Sequence, residues 1–235
     1  MPNGAAAGFP LHDGALLALV RVALEEDRAF EDVTTLATVT PGHHARADLV
    51  ARRDGVVAGV PLAVTAFRQL DPHVEIRIDA RDGTPVKKGD VVLHLSGAAR
   101  GLLSAERVAL NFAQRLSGVA SLTAQYVKAV AGTSAKILDT RKTTPGWRML
   151  EKYAVTCGGG TNHRATLADA VLIKDNHLTA CGGDVGVAVQ RAREYAPKGM
   201  LVQVECDTVA QVRAALAAGT EALLLDNMPN HALRE

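Results

Sequence analysis

Beyond Lys136 short apolar runs alternate with amphipathic stretches, and this alternation constrains the fold more than any other feature. The runs are Ile137-Leu138-Asp139, Val171-Leu172-Ile173, residues 201–204 and residues 222–225. Helical segments are expected over residues 146–153, 185–195 and 208–218, the last two closed by Gly199 and Gly219 as helix stops. A strand–helix repeat predicts a parallel sheet covered by helices. In such folds the functional residues sit at the carboxyl ends of the strands. The residues at those ends are Arg141, Lys142, Lys174, Glu205 and Asp226, so the pattern predicts one rim carrying three cations and two carboxylates.

The first hundred residues read differently. An amphipathic helix is expected over residues 15–27, with Leu16, Leu17, Val20 and Leu24 on its apolar face, followed by a polar turn at residues 32–35. Short strands then fall at residues 45–51, 56–60, 74–78 and 91–96, around a helix at 61–70, with turns at Asp54-Gly55 and Asp82-Gly83. Ser104 is placed as the N-cap of a helix carrying Val108, Phe112 and Leu116 on one face, interrupted at Gly118. The expected organisation is an α+β region over residues 1–103 and an α/β region of strand–helix repeats over residues 104–235.

Composition narrows the function. Formal net charge is +1, so there is no basic footprint for nucleic acid or an anionic membrane. Aromatic residues are 3% and hydrophobic residues 48%, so the core must be aliphatic. The three cysteines, Cys157, Cys181 and Cys206, contain no CxxC pair, which argues against a disulfide scaffold or structural zinc and points to a reducing compartment, the cytoplasm. Residues 1–10 lack a basic, then apolar, leader, and no run reaches the roughly 18 apolar residues of a membrane span.

Clustered Arg and Lys at strand ends suit a polyanion, Arg as a planar fork and Lys as a point charge. Residues 158–164, Gly-Gly-Gly-Thr-Asn-His-Arg, read as a glycine-rich loop whose N–H groups approach a ligand and which presents His163 and Arg164. Glu205 and Asp226 can hold Mg²⁺ or accept ribose hydroxyls. Together these groups suggest a ligand with carboxylates, phosphates and a sugar. The segment Gly83 to Val92 is similar to half of a lipoyl or biotinyl domain but lacks the companion half, and is read as a β-turn-β element.

The motif Asp139-Thr140-Arg141-Lys142-Thr143-Thr144-Pro145-Gly146 resembles the type II phosphoribosyltransferases, specifically the quinolinate phosphoribosyltransferases. The resemblance extends through Lys152-Tyr153-Ala154-Val155, the loop from Gly158 to Arg164, and Leu172-Ile173-Lys174-Asp175-Asn176-His177. It continues at Val204-Glu205-Cys206-Asp207-Thr208 and Leu224-Leu225-Asp226-Asn227-Met228. Upstream, Glu31-Asp32-Val33-Thr34-Thr35, Glu106-Arg107-Val108-Ala109-Leu110-Asn111 and Ser117-Gly118-Val119-Ala120 also fit.

The resemblance implies transfer of phosphoribosyl from phosphoribosyl pyrophosphate to quinolinate with decarboxylation, giving nicotinate mononucleotide for NAD synthesis, with Mg²⁺ as cofactor. It implies that Thr140, Arg141, His163, Arg164 and Lys174 bind substrate, quinolinate lying among the last four. Lys142 would meet the phosphoribosyl pyrophosphate. Glu205 and Asp226 would meet its ribose and Mg²⁺, directly or through water or substrate, and Lys142, Lys174, Glu205 and Asp226 would carry catalysis. Arg107 is expected to reach a second subunit's site, making a homodimer. The fold the resemblance implies is an N-terminal α+β sandwich over residues 1–103 followed by an incompletely closed α/β barrel over residues 104–235. Four strands after Lys136 are too few to finish it, so the barrel is expected to be truncated at its C-terminal end, short of the family's strands that bind the 5′-phosphate. The competing readings are a ModD-like relative and a silent binding or dimerisation module.

Overall fold

A computed structural model describes residues 8–235; most of the segment read for a leader lies outside the described residues. The chain forms two compact units, dividing between His163 and Arg164.

In the first unit, α1 (Asp13–Glu26) buries Val20 and Leu24 completely. Leu17, expected on the same face, is 51% exposed. It lies three residues before Val20, and the buried stripe is too narrow to include it. The expected polar turn at residues 32–35 is instead the start of a helix. Asp32 Oδ1 accepts the Thr35 N–H at 3.0 Å and caps α2 (Val33–Thr38).

Then follow β1 (His44–Val50), β2 (Gly55–Val56), α3 (Val60–Leu70), β3 (Glu75–Ile78), β4 (Pro85–Val86) and β5 (Val91–Ala98). Strand β5 is central, flanked antiparallel by β1 and β3, while β2 and β4 form a small ribbon. The segment set aside as carrier-like is the turn between β4 and β5: Lys87 pairs with Asp54 at 2.8 Å, and its N–H donates to Asp90 at 2.7 Å.

Helix α3 is buried on most sides, through Leu62, Ala63, Ala66 and Phe67. It is entered through Gly59 at φ +93°, where a Cβ would lie 3.0 Å from Leu116 Cδ1. Helix α4 (Ala99–Ala129) supplies Val108, Phe112, Leu116 and Ala120 to the same core, as the sequence period required. Burial of each of the three larger side chains, Val108, Phe112 and Leu116, contributes about 1.5–3 kcal/mol.

Two details of α4 depart from expectation. It begins at Ala99, not after Ser104, because Asp71 Oδ2 accepts the Ala98 N–H at 2.8 Å from across the fold. The Ser104 hydroxyl donates instead to Asp32 at 3.0 Å. Gly118 does not interrupt the helix, since packing on either side outweighs the modest cost of one helical glycine. The unit ends with α5 (Arg148–Cys157) and the loop to His163.

In the second unit, β6 (Val171–Ile173), β7 (Val202–Cys206) and β8 (Ala222–Leu225) make a parallel sheet in that order, not closed into a barrel. Helices α6 (Asp175–Ala180), α7 (Val185–Tyr195), α8 (Val209–Ala217) and α9 (Asn230–Arg234) alternate with the strands or follow them. Val202, Val204 and Cys206 point into a core with Ile173, Val185, Val189 and Ala215. Gln203 and Glu205 take the opposite face of β7. Asp184 and Thr208 cap α7 and α8, accepting from Val187 N at 3.0 Å and Gln211 N at 3.2 Å.

Gly219 stops α8 at φ +78°, as read. Gly199 does not stop α7, which ends before Ala196-Pro197, where proline cannot continue the helix. The run at residues 137–139 is not a strand of this sheet. It belongs to the first unit and makes a lone bridge, Leu138 to Thr161, formed by Thr161 N to Ile137 O at 2.8 Å and Asp139 N to Thr161 O at 3.2 Å. Among the described residues no helix is long and apolar enough to cross a membrane.

Candidate functional site

In the first unit the candidate residues stand on two loops held from behind by α5. Neighbouring α5 residues, Glu151 and Lys152, are 7% and 3% exposed, and each secures one loop. Glu151 Oε1 accepts from Arg115 Nη2 at 2.6 Å and from the Thr144 hydroxyl at 2.8 Å, while Oε2 accepts the Thr144 N–H at 3.2 Å. These bonds fix the end of the segment Thr140-Arg141-Lys142-Thr143. Burial pushes the Glu151 carboxyl up, but the bonds from Arg115 and Thr144 outweigh it and hold its pKa below the ordinary value.

Lys152 forms a buried ion pair with Asp139. Its ammonium also donates to the His163 carbonyl at 3.0 Å, and Asp139 Oδ1 accepts the His163 N–H at 2.9 Å. Asn162 adds to the shell: its amide nitrogen, in the orientation its neighbours require, donates to Asp139 Oδ2 at 2.6 Å and to the Lys152 carbonyl at 2.9 Å.

The glycine-rich loop does not serve as the sequence suggested. Gly158 N donates to Ala154 O at 3.1 Å, Gly159 N to Thr156 O at 3.0 Å and Gly160 N to Val155 O at 3.0 Å. With Thr161 N donating to Ile137 O, these N–H groups are committed inside the protein and none cradles a ligand. The glycines answer to packing. A Cβ at Gly158 would lie 2.3 Å from Ala120 O, and one at Gly160 would lie 2.7 Å from Val155 Cγ1. The loop passes tightly over α4 and delivers Asn162 and His163.

Arg107, Thr140, Arg141, Lys142 and His163 all belong to this first unit. Among the described residues the buried Nε–H of Arg141 has no acceptor. Thr140 and Lys142 are exposed, and the Thr140 hydroxyl accepts the Lys142 N–H at 3.1 Å. Arg107 is exposed on α4 beside a cleft of about 470 Å³ lined with Asp27, Asp32 and Ser104. Among the described residues it makes no ion pair.

The second unit holds Arg164, Lys174, Glu205 and Asp226. Three of these stand at neighbouring strand ends, as the βα pattern predicted. Ile173 is in register with Val204, so Lys174 and Glu205 lie side by side, with Nζ 2.8 Å from Oε2. The Asp226 N–H donates to Cys206 O at 3.0 Å, extending the pairing of β8 with β7. Asn227 follows at φ +50°, a left-handed conformation that asparagine tolerates. The Lys174 N–H donates to His177 Nδ1 at 3.0 Å, tying the start of α6. Arg164 Nη1 donates to Ala170 O at 3.0 Å and braces the approach to β6.

Sequence reasoning gave no role to Asp139, Lys152, Glu151 or Arg115. A signal was present: residues 148–157 place Glu151 and Lys152 beside Leu150, Tyr153, Ala154 and Cys157, all buried, and charges at such positions demand partners.

The fold is that of an α/β protein whose first unit carries Arg141 and Lys142 on a loop fixed by Glu151, and whose second unit carries Lys174, Glu205 and Asp226 at adjacent strand ends. Two family models match in order: the N-terminal domain of quinolinate phosphoribosyl transferase over residues 32–117 and its C-terminal domain over residues 119–235. The chain belongs to the quinolinate phosphoribosyltransferase family.

It is 43% identical over 209 residues to a probable nicotinate-nucleotide pyrophosphorylase (carboxylating) of Bacillus subtilis, covering 89% of this chain and 72% of that protein. It is 45% identical over 213 residues to the corresponding enzyme of Mycobacterium leprae, covering 89% and 74%. For a probable one of Synechocystis the figures are 45% over 186 residues, covering 79% and 63%. The chain thus spans between 63% and 74% of the length of these three relatives. The solved structure of NadC from Streptococcus pyogenes is similar at a TM-score of 0.88 and 42% identity, over 95% of this chain and 79% of that one.

Proposed function

We propose that the chain is a pentosyltransferase that moves phosphoribosyl from phosphoribosyl pyrophosphate to the nitrogen of quinolinate, releasing pyrophosphate, CO₂ and nicotinate mononucleotide for NAD synthesis. The names of its relatives carry this reaction, one group as nicotinate-nucleotide pyrophosphorylase and another as quinolinate phosphoribosyltransferase (decarboxylating). The observation that carries the reading to this site is the buried Nε–H of Arg141, which has no acceptor among the described residues and which a substrate carboxylate satisfies through the guanidinium fork. His163, Arg164 and Lys174 provide the remaining donors for a dicarboxylate.

The pyridine nitrogen attacks the ribosyl carbon as pyrophosphate leaves. Lys142 meets the departing phosphates. Positive charge growing on the ribosyl ring is stabilised by Glu205 and Asp226. N-ribosylation makes the pyridine cationic, so the carboxylate beside the nitrogen leaves as CO₂, its electron pair staying on the ring carbon until a proton replaces it. No protein nucleophile is needed; the chain's work is orientation and charge.

Glu205 and Asp226 are hard oxygen donors on adjacent strands, and no group of three His, Cys, Asp or Glu that could hold a metal occurs among the described residues. That donor set fits Mg²⁺ arriving with its phosphate ligand rather than a closed resident site. Bound there, Mg²⁺ would neutralise charge on the leaving pyrophosphate. Arg107, exposed and without an ion pair among the described residues, is assigned to a second subunit's site, so the working form is a homodimer. The chain is assigned to the cytoplasm on its free cysteines, although plant relatives are chloroplastic or mitochondrial.

The test is product identity. Incubated with phosphoribosyl pyrophosphate, Mg²⁺ and quinolinate, the protein should yield nicotinate mononucleotide by mass spectrometry. Nicotinate offered in place of quinolinate should yield none, and equal turnover of both would overturn the dicarboxylate assignment.

A further inference from the structure

We propose that Lys152 and Asp139 are positioning residues, a buried ionic clamp whose task is to fix the His163 backbone and so the pose of quinolinate. This rests on His163 being a quinolinate-binding residue, as set out above. The clamp grips both peptide units that flank His163. Its N–H is donated to Asp139 Oδ1 at 2.9 Å, and its carbonyl accepts from Lys152 Nζ at 3.0 Å.

The two charges are paired, and their side chains are only 4% and 6% exposed. A buried pair is poor value as a stabilising device, since well-packed apolar residues in its place are often as stable or more so. What it supplies is geometry. Lys152 is fixed on α5, and Asp139 is fixed by the bridge of Leu138 to Thr161. Asn162, immediately before His163, turns its amide onto the same carboxylate.

The glycine loop beneath explains why a clamp is required. Gly158 and Gly160 admit no side chain against α4, so the segment has no side-chain anchor of its own there. The first residues after it to carry polar side chains are Thr161, Asn162 and His163. Of these, Asn162 and His163 engage the Asp139–Lys152 pair. Arg141 stands two residues beyond Asp139, so the clamp also sets where the cationic loop begins.

Three variants test this on the full chain. The doubly neutral Asp139→Asn/Lys152→Met leaves no unpaired buried charge. Asn162→Ala loosens the shell from its exposed side and is expected to fold. His163→Ala completes a cycle with each. The clamp predicts a quinolinate KM raised about tenfold or more in the double variant and a few-fold in Asn162→Ala, with the phosphoribosyl pyrophosphate KM within about twofold of wild type.

Adding His163→Ala to the double variant should raise the quinolinate KM little beyond His163→Ala alone, since the clamp acts through that residue. Amide hydrogen exchange at His163 should accelerate in both clamp variants, a readout independent of substrate. Protection unchanged at His163, additive KM effects, or equal rises in both KM values would each overturn the proposal. A wild type that turns over no quinolinate while its variants lose His163 protection would instead refute the substrate reading and leave the clamp standing. If the double variant does not fold, Asn162→Ala decides alone by the same two readouts.

Discussion

Lys174 and Glu205 occupy neighbouring positions at the ends of parallel strands β6 and β7, joined by an ion pair of 2.8 Å. The Lys174 side chain is 41% exposed and that of Glu205 is 13% exposed. A cation held ready beside a mostly buried carboxylate is a poor source of stability and a good source of preorganised charge. At this exposure the pair is worth at most about 1 kcal/mol to folding.

Glu205→Gln should therefore lower kcat/KM by about 100-fold or more, the scale of losing one aligned charge. Its thermal midpoint should move by only a few degrees. Steady-state kinetics and a melting curve on one preparation check both. A large fall in the midpoint with activity per folded molecule intact would mark the pair as structural.

Glu151 gives a pH-dependent stability. Bonds from Arg115 and Thr144 hold its pKa below the ordinary 4.5 despite burial, so the unfolded chain binds its proton more readily than the folded one. Stability from this group is therefore complete above about pH 5 and is lost as pH falls through the depressed folded value. Urea titrations of wild type and Glu151→Gln should differ at pH 7 and converge toward pH 3. A difference that widens in acid would contradict the sign.

Two glycine substitutions should act oppositely. Gly158→Ala sets a Cβ 2.3 Å from the Ala120 carbonyl and should cost about 1–3 kcal/mol. Gly118→Ala, inside α4 with nothing within 4 Å of the new methyl, should stabilise by about 0.5–1 kcal/mol. Denaturant midpoints measure both.

Much of this was legible in the sequence, and the failures share a cause. Residues 185–195 and the ends of β6 and β8 were readable because periodicity and strand-end charges are local features. Val108, Phe112 and Leu116 declared their common face in the same way. The strand at 137–139 was misread because an apolar run does not reveal whether a partner strand lies beside it. Ser104 looked like a cap because the residue that secures the helix start, Asp71, lies 27 positions before Ala98. The glycines suggested ligand contact because sequence does not show that their N–H groups are already spent. Lys152 and Asp139, 13 positions apart, became a pair only once α5 and the bridge were placed.

Arg107 offers a test of assembly. Arg107→Ala and Arg141→Ala should each be inactive yet folded. Mixed and allowed to exchange subunits, they should recover activity, because some dimers then pair an intact Arg107 with an intact Arg141 in one site. Absence of recovery after proven exchange would place Arg107 outside the shared site.

Joining quinolinate to a phosphoribosyl group with loss of CO₂ releases two products together, pyrophosphate and CO₂. The most direct measurement is the simultaneous release of pyrophosphate and of labelled CO₂ from carboxyl-labelled quinolinate, with Mg²⁺ and phosphoribosyl pyrophosphate present. Equal amounts of the two products, both dependent on both substrates and abolished in Arg141→Ala, are the predicted result. Pyrophosphate release that ignores quinolinate, or no release from folded protein, would contradict it.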